Sequence, residues 1–264
     1  MSRNLFSGVI HKKVGPMIFI GVDGCKKGWF AVKLKDGDEW EARVFQDIGA
    51  LWAEFDDASV ILIDVPIGLK EFGVEERECD VQARKLLGRG RASSVFRPPC
   101  RKAVYSSMGQ ASDVNFKVTG KYLPRQTLNI LRKIREMDQF LSVHKSARAV
   151  IRETHPEICF WALAGHRPMK HRKRKERGFL ERKAVLEYVF PSSKGIIEDA
   201  LKAYKRKDLA KDDILDALAA AITAKMGFGG FSTIPGIPQV DSKGLPIEMV
   251  YFALENGVGS RLNY

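Results

Sequence analysis

Two stretches of the chain are apolar without a break and then run into an acid. Ile18 to Val22 leads to Asp23, and Val60-Ile61-Leu62-Ile63 leads to Asp64. Unbroken apolar runs of this kind read as central strands buried on both faces. Between them, Trp29 to Lys35 alternates towards its end, Asp36-Gly37 marks a tight turn, and Trp40 to Phe45 alternates again, which predicts an antiparallel meander. Ile48, Leu51, Trp52 and Phe55 then fall at helical spacing behind Asp47, a good N-cap residue. A strand entered through a crossover helix lies parallel to its neighbour. The fourth strand is therefore expected beside the first, with Asp23 and Asp64 ending adjacent parallel strands. Ligands of open α/β sheets bind at that edge.

Further on, Glu75 to Leu87 predicts a helix stopping at Gly88, and Gly88 to Arg101 reads as a basic loop punctuated by Gly and Pro. Leu123 to Leu141 carries an amphipathic stripe with Pro124 in its first turn. Ala147 to Glu153 predicts a strand beside the fourth. Helices follow at Ile158 to Ala164, Phe179 to Tyr188 and Ile196 to Tyr204, the first two separated by a basic run, Arg167 to Arg177. The most apolar helix runs from Ile214 to Met226 behind Asp212 and stops at Gly227. Pro235, Pro238 and Pro246 predict a loop-rich end, with Ile247 to Leu254 as an edge strand or short helix. These elements predict a three-layer α/β fold whose mixed five-stranded sheet has the order 3-2-1-4-5, with helices on both faces. No linker divides it. The expected organisation is an arm over residues 1–16 and one domain over 17–264, with a helical and loop insertion around 66–146.

Charge sharpens this picture. A net charge of +12 favours an anionic partner, and nucleic acid is the usual one. Cys25, Cys79, Cys100 and Cys159 form no CxxC pair, which argues against a zinc knuckle and for a reducing compartment. The start lacks a signal-peptide core, and no run reaches the ~18 apolar residues that span a bilayer. A cytoplasmic protein without membrane attachment is expected.

Three acids sit where folding alone disfavours them. Asp23 and Asp64 end apolar strands, and Asp216 lies within the apolar helix between Leu215 and Ala217. A buried carboxylate must be paired, hydrogen-bonded or bound to metal. Each has a plainer reading, Asp23 and Asp64 as turn residues and Asp212 and Asp213 as first-turn acids facing the helix dipole. Asp216 is one turn too deep for that, and Asp213 shares its face at a spacing of three. Together, Asp23, Asp64, Asp213 and Asp216 suit a hard divalent cation, Mg²⁺ or Mn²⁺. Two such ions ~3.5–4 Å apart promote phosphodiester hydrolysis. Glu153 or Glu157 completes the set, or Glu157 simply opens the next helix. His155 orients a water as base, or is a structural histidine before proline.

The segment Gly21-Val22-Asp23-Gly24 with Gly28-Trp29 resembles the first motif of RuvC-type resolvases, and Asp213 to Ala219 (DILDALA) resembles their last helix. From Met17 on, the chain is similar to a family of uncharacterised predicted nucleases with an RNase H-like fold. The similarity runs through Gly21 to Trp29, IDVPIGL at 63–69, RASSVFRPP at 91–99, ETHPEICF at 153–160, GFLER at 178–182 and Asp212 to Ala220. The resemblance implies a divalent-metal-dependent nuclease with Asp23 and Asp216 as first-strand and last-helix ligands, Asp213 beside the latter and Asp64 on the fourth strand. Where RuvC-type enzymes often carry Glu, this chain has the shorter Asp64, which puts one-metal against two-metal chemistry in question.

Two basic segments are candidate nucleic-acid contacts: Arg89, Arg91, Ser93, Ser94, Phe96, Arg97 and Arg101 in the first, Lys173 and Arg174 in the second. Arginine forks suit phosphates and an aromatic stacks on a base; for the second segment a solvated loop is the competing reading. Two other functions stay open. One is a non-catalytic nucleic-acid-binding or scaffold protein of the same fold. The other is an actin-like phosphotransferase, for which Gly227-Phe228-Gly229-Gly230 is the one hint.

Overall fold

A computed structural model describes residues 16–253; the predicted arm at 1–16 lies almost wholly outside the described residues. The meander forms as expected from β1 (Ile18–Cys25), β2 (Gly28–Lys35) and β3 (Trp40–Phe45), followed by helix α1 (Ile48–Phe55) and β4 (Val60–Ile63). Asp47 caps α1, its carboxylate accepting from the backbone N–H of Ala50 at 2.8 Å. β4 runs parallel to β1 with Val22 opposite Ile63. β5 (Ile151–Glu153) runs parallel to β4, so the order is β3-β2-β1-β4-β5. This is the layout of an RNase H-like sheet.

The continuous apolar runs are explained by two cores, one on each face. Phe19, Phe30, Val32, Val60 and Leu62 point to one side, where they pack against α6 (Pro156–Leu163), α7 (Glu176–Val189), α8 (Ser193–Ala203) and α9 (Lys211–Gly227). Ile20, Val22, Trp29, Ile61 and Ile63 point to the other, against α1 and α5 (Arg125–Val143). The run of alanines in α9 lets that helix lie directly on β1. At their crossing a Cβ on Gly21 would stand 2.0 Å from the backbone nitrogen of Ala221 and 2.2 Å from the carbonyl oxygen of Ala217, so only glycine fits. This contact sets the height of Asp23, two residues on, against Asp216 on the helix.

Between β4 and β5 the chain forms α2 (Glu78–Arg91), α3 (Arg101–Val104), α4 (Ala111–Thr119) and α5. Gly88 does not end α2 as its sequence predicts; it takes φ 62° and kinks a helix that continues to Arg91. The predicted strand at 147–153 is shorter, because Ser146–Ala149 forms a 3₁₀ turn first. The loop-rich end contains a two-stranded antiparallel sheet, β6 (Ser232–Val240) and β7 (Pro246–Tyr251). Prolines at 235 and 238 hid β6 in the sequence. They are tolerated because the ladder is interrupted between Ile234 and Gln239. No helix among the described residues is long and apolar enough to cross a membrane, and the four cysteines are buried and unpaired with one another.

Candidate metal centre

Asp23 lies in β1, and the residue after β4, Asp64, donates its backbone N–H to the carbonyl of Val22 at 3.0 Å. That bond seats the two aspartates side by side on neighbouring strands. Asp216 faces them from α9, 1% exposed. The Asp23 carboxyl is held well above the usual carboxylate range, first by burial and then by the charges of Asp64, Asp216 and Asp213, with Lys173 opposing. Burial likewise raises Asp64, with Glu157 adding to the effect while His155 and Lys173 oppose it. The sequence-predicted aspartates are thus brought into one electrostatic unit.

Asp213 and Asp216 differ in their local work. The Asp213 carboxylate accepts from the backbone N–H of Ala210 at 3.1 Å, closing the first turn of α9, as its plainer reading expected. Asp216 has no such backbone donor; Lys173 Nζ donates to it at 2.5 Å. Burial raises both carboxyls to about 6. Their folded-state values lie above the unfolded value of 3.8, so the stability they contribute is complete below about pH 4 and lost as pH rises through about 6. Chelator-treated protein is expected to melt lower at pH 7 than at pH 5, and Asp216→Asn to reduce that difference. Melting curves across this range check it, and a wild-type slope unchanged by Asp216→Asn would refute the assignment.

Glu153 and Glu157 part company. Glu153 turns away into a buried trio: Arg77 Nη2 and Nη1 donate to its two oxygens at 2.6 and 2.9 Å, and Arg77 Nη2 and Nε reach Asp80 at 2.7 and 2.9 Å. Ligand atoms of Cys79, Asp80 and Glu153 lie within 4.8 Å of one another, a spacing that suits a cation. The guanidinium of Arg77 already donates to both carboxylates there. Glu157 stays with the aspartates. Its charge acts on Asp64 and Asp216, Arg182 holds one of its oxygens at 2.5 Å, and the other, Oε2, is buried without a hydrogen-bond partner. His155 caps α6, its Nδ1 accepting from the N–H of Glu157 at 3.2 Å, and its Nε2 faces the carbonyl of Ser94 at 3.4 Å. It is structural by these bonds, yet close enough to Asp64 to lower that carboxyl.

The basic segments are more committed than their sequence suggests. Arg91 is buried and donates to the carbonyl of Met169, Arg97 pairs with Glu76 at 3.1 Å, and Arg101 is buried among Glu71, Asp138 and Asp241. Ser94 donates to the carbonyl of Arg91. Arg89, Ser93 and Arg174 remain at the surface, and Phe96 is half-buried. Lys173, read in the sequence as a phosphate contact, is half-buried and turns its Nζ to Asp216 instead. Nothing in the basic run distinguishes it from its neighbours. Trp29 of the first motif is buried, donating from its indole to Glu136 at 2.9 Å, so its part is structural.

Residues 21–239, which include all four aspartates, match one family throughout. The chain belongs to the DUF429 family, described as a protein of unknown function. Comparison with curated proteins and with solved structures gave no match. The DUF429 match spans the whole carboxylate set, with Asp23 near its beginning, Asp64 within it and Asp213 and Asp216 towards its end.

The donor types suit a divalent cation, although no three of these acids have ligand atoms within 4.8 Å of one another as they do in the Cys79, Asp80 and Glu153 group, so an ion would have to draw them together. Asp23, Asp64, Asp213 and Asp216 offer hard oxygen ligands, and Glu157 offers a buried oxygen with no donor. Lys173, together with Lys133 beside Asp23 and Asp213, faces four carboxylates, and burial and mutual repulsion still hold Asp23 up.

Proposed function

We propose that this DUF429 protein is a divalent-metal-dependent nuclease hydrolysing phosphodiester bonds of DNA or RNA. The observation that carries the reading is the meeting of Asp23, Asp64 and Asp216, from two parallel strand ends and a helix, at the edge where α/β sheets bind ligands. Bound Mg²⁺ or Mn²⁺ would supply activation of water and charge neutralisation at the phosphorus. The residues' own contribution is to hold and orient. Asp23, Asp64 and Asp216 present the oxygens, and Gly24 fixes one Asp23 oxygen through its backbone N–H at 2.7 Å. Asp213 steadies the α9 start, and Arg89 and Arg174, both exposed, would contact backbone phosphates.

Incubation with single-stranded, duplex and branched DNA and RNA, in Mg²⁺, Mn²⁺ or EDTA, tests the proposal. Cleavage that requires the metal is the expected result. Binding without cleavage in either metal would overturn it in favour of a nucleic-acid-binding scaffold, and metal-dependent ATP consumption without cleavage in favour of a phosphotransferase.

A further inference from the structure

Lys173 is delivered to the aspartates by a loop built for the purpose. The backbone N–H groups of Lys170 and His171 donate to the two carboxylate oxygens of Glu181 at 2.6 and 2.8 Å. Arg182 donates to the carbonyl of His171 at 3.0 Å. The start of α7 presses on the same loop, since a Cβ on Gly178 would stand 2.0 Å from the carbonyl oxygen of Arg172. The GFLER segment is therefore a clamp: Gly178, Glu181 and Arg182 fix the backbone just ahead of Lys173. From there Nζ reaches Asp216 at 2.5 Å and comes within 3.9 Å of Asp212. Although burial works against the ammonium, Asp216, Asp23 and Asp64 together stabilise it, three carboxylates from three separate elements.

An ammonium with three donors and one positive charge, set among hard carboxylates, is a tethered cation. We infer that Lys173 permanently fills one of the two cation positions a nuclease of this type would offer, so that the centre takes up a single divalent ion. This rests on the metal-dependent reading above. Two observations support it beyond the ion pair. The clamp of Glu181, Arg182 and Gly178 fixes the backbone beside Lys173, so that its side chain, although 37% exposed, starts from a set position and ends with Nζ on Asp216. One acceptor facing the aspartates also remains without a donor, the buried Oε2 of Glu157, whose charge acts on both Asp64 and Asp216. Two dications ~3.5–4 Å apart, the spacing of two-metal sites, would have to share the carboxylates with a like-charged ammonium.

Counting bound Mn²⁺ tests this, by electron paramagnetic resonance of the free ion during titration. The double variant Asp23→Asn/Asp216→Asn serves as the blank for ions bound elsewhere. Wild type is expected to hold one ion above the blank, and Lys173→Met two. Lys173→Gln serves as a second variant should Lys173→Met not fold, with melting curves checking both. Two ions in wild type would overturn the role of Lys173 while leaving the metal centre intact, and one ion in both wild type and variant would do the same. No ion in either would remove the metal-dependent reading itself, and this inference with it.

Discussion

Replacing Asp23 with Asn is expected to abolish metal-dependent cleavage while making the metal-free protein more stable. Asp23 is 7% exposed and is opposed by three other aspartates, which Lys173 and Lys133 offset only in part. An amide of the same shape keeps the packing and removes the repulsion. Relieving a strained site of this kind typically gains about 1 kcal/mol, worth roughly 2–4 °C in Tm for a domain of this size. The same change deletes a charged ligand. Loss of one preorganised electrostatic group costs on the order of a hundred- to a thousandfold in rate, and a shared metal ligand belongs at the upper end. Mn²⁺ is expected to raise the Tm of wild type by binding only the folded state, and to lose that effect in the variant. Asp199→Asn, on the exposed side of α8, serves as the control and should move neither quantity. A variant that still cleaves at the wild-type rate in Mn²⁺ would remove Asp23 from the chemistry. A variant less stable than wild type would show that the carboxylate holds the fold together.

This opposition between stability and site explains why the aspartates were legible in the sequence. An acid at the end of Ile18 to Val22, or between Leu215 and Ala217, breaks a pattern that otherwise serves burial, and such breaks mark sites. The strand order was legible for a related reason. Period, turn residues and the handedness of a crossover leave few ways to place β4. The clamps were not legible. Glu153 reads as well as Glu157 for a ligand, because both flank the same turn; only the fold shows Arg77 reaching one and Arg182 the other. Lys173, Arg91 and Arg101 look alike in a list of cations, yet each ends on a different acid or carbonyl brought in from another part of the chain. Charge pairing over long separations has no signature in a single sequence.

Arg77→Met provides the severest test of how the site is held. Arg77 is 2% exposed and serves two carboxylates at once; it also donates to the carbonyls of Ile67 and Gly68 at 3.0 and 3.2 Å. Glu153 in turn accepts from the N–H of Ile67 at 2.6 Å. The trio thereby ties α2 and β5 to the IDVPIGL segment that carries Asp64. Removing the guanidinium leaves Asp80 and Glu153 buried without their cation, and breaking a buried pair from one side costs about 3–5 kcal/mol. On the order of 10 °C in Tm follows for a domain of this size. The loss should depend on pH in a definite direction. Burial already raises the Glu153 carboxyl to about 7, with Arg77 holding it down. A folded-state value above the unfolded 4.5 means that stability present below that pH is lost as pH rises to about 7. Without Arg77 the folded-state value climbs further, so the variant should lie closest to wild type near pH 5 and fall furthest behind near pH 8. Arg77→Lys should recover little, since an ammonium cannot reproduce the forked contacts to both carboxylates. Chemical denaturation of wild type and both variants at pH 5 and pH 8 decides the matter. An Arg77→Met protein as stable as wild type at pH 8 would mean that the trio does not hold Asp64 in place, and that the strand-end geometry rests on the packing of Gly21 against α9 alone.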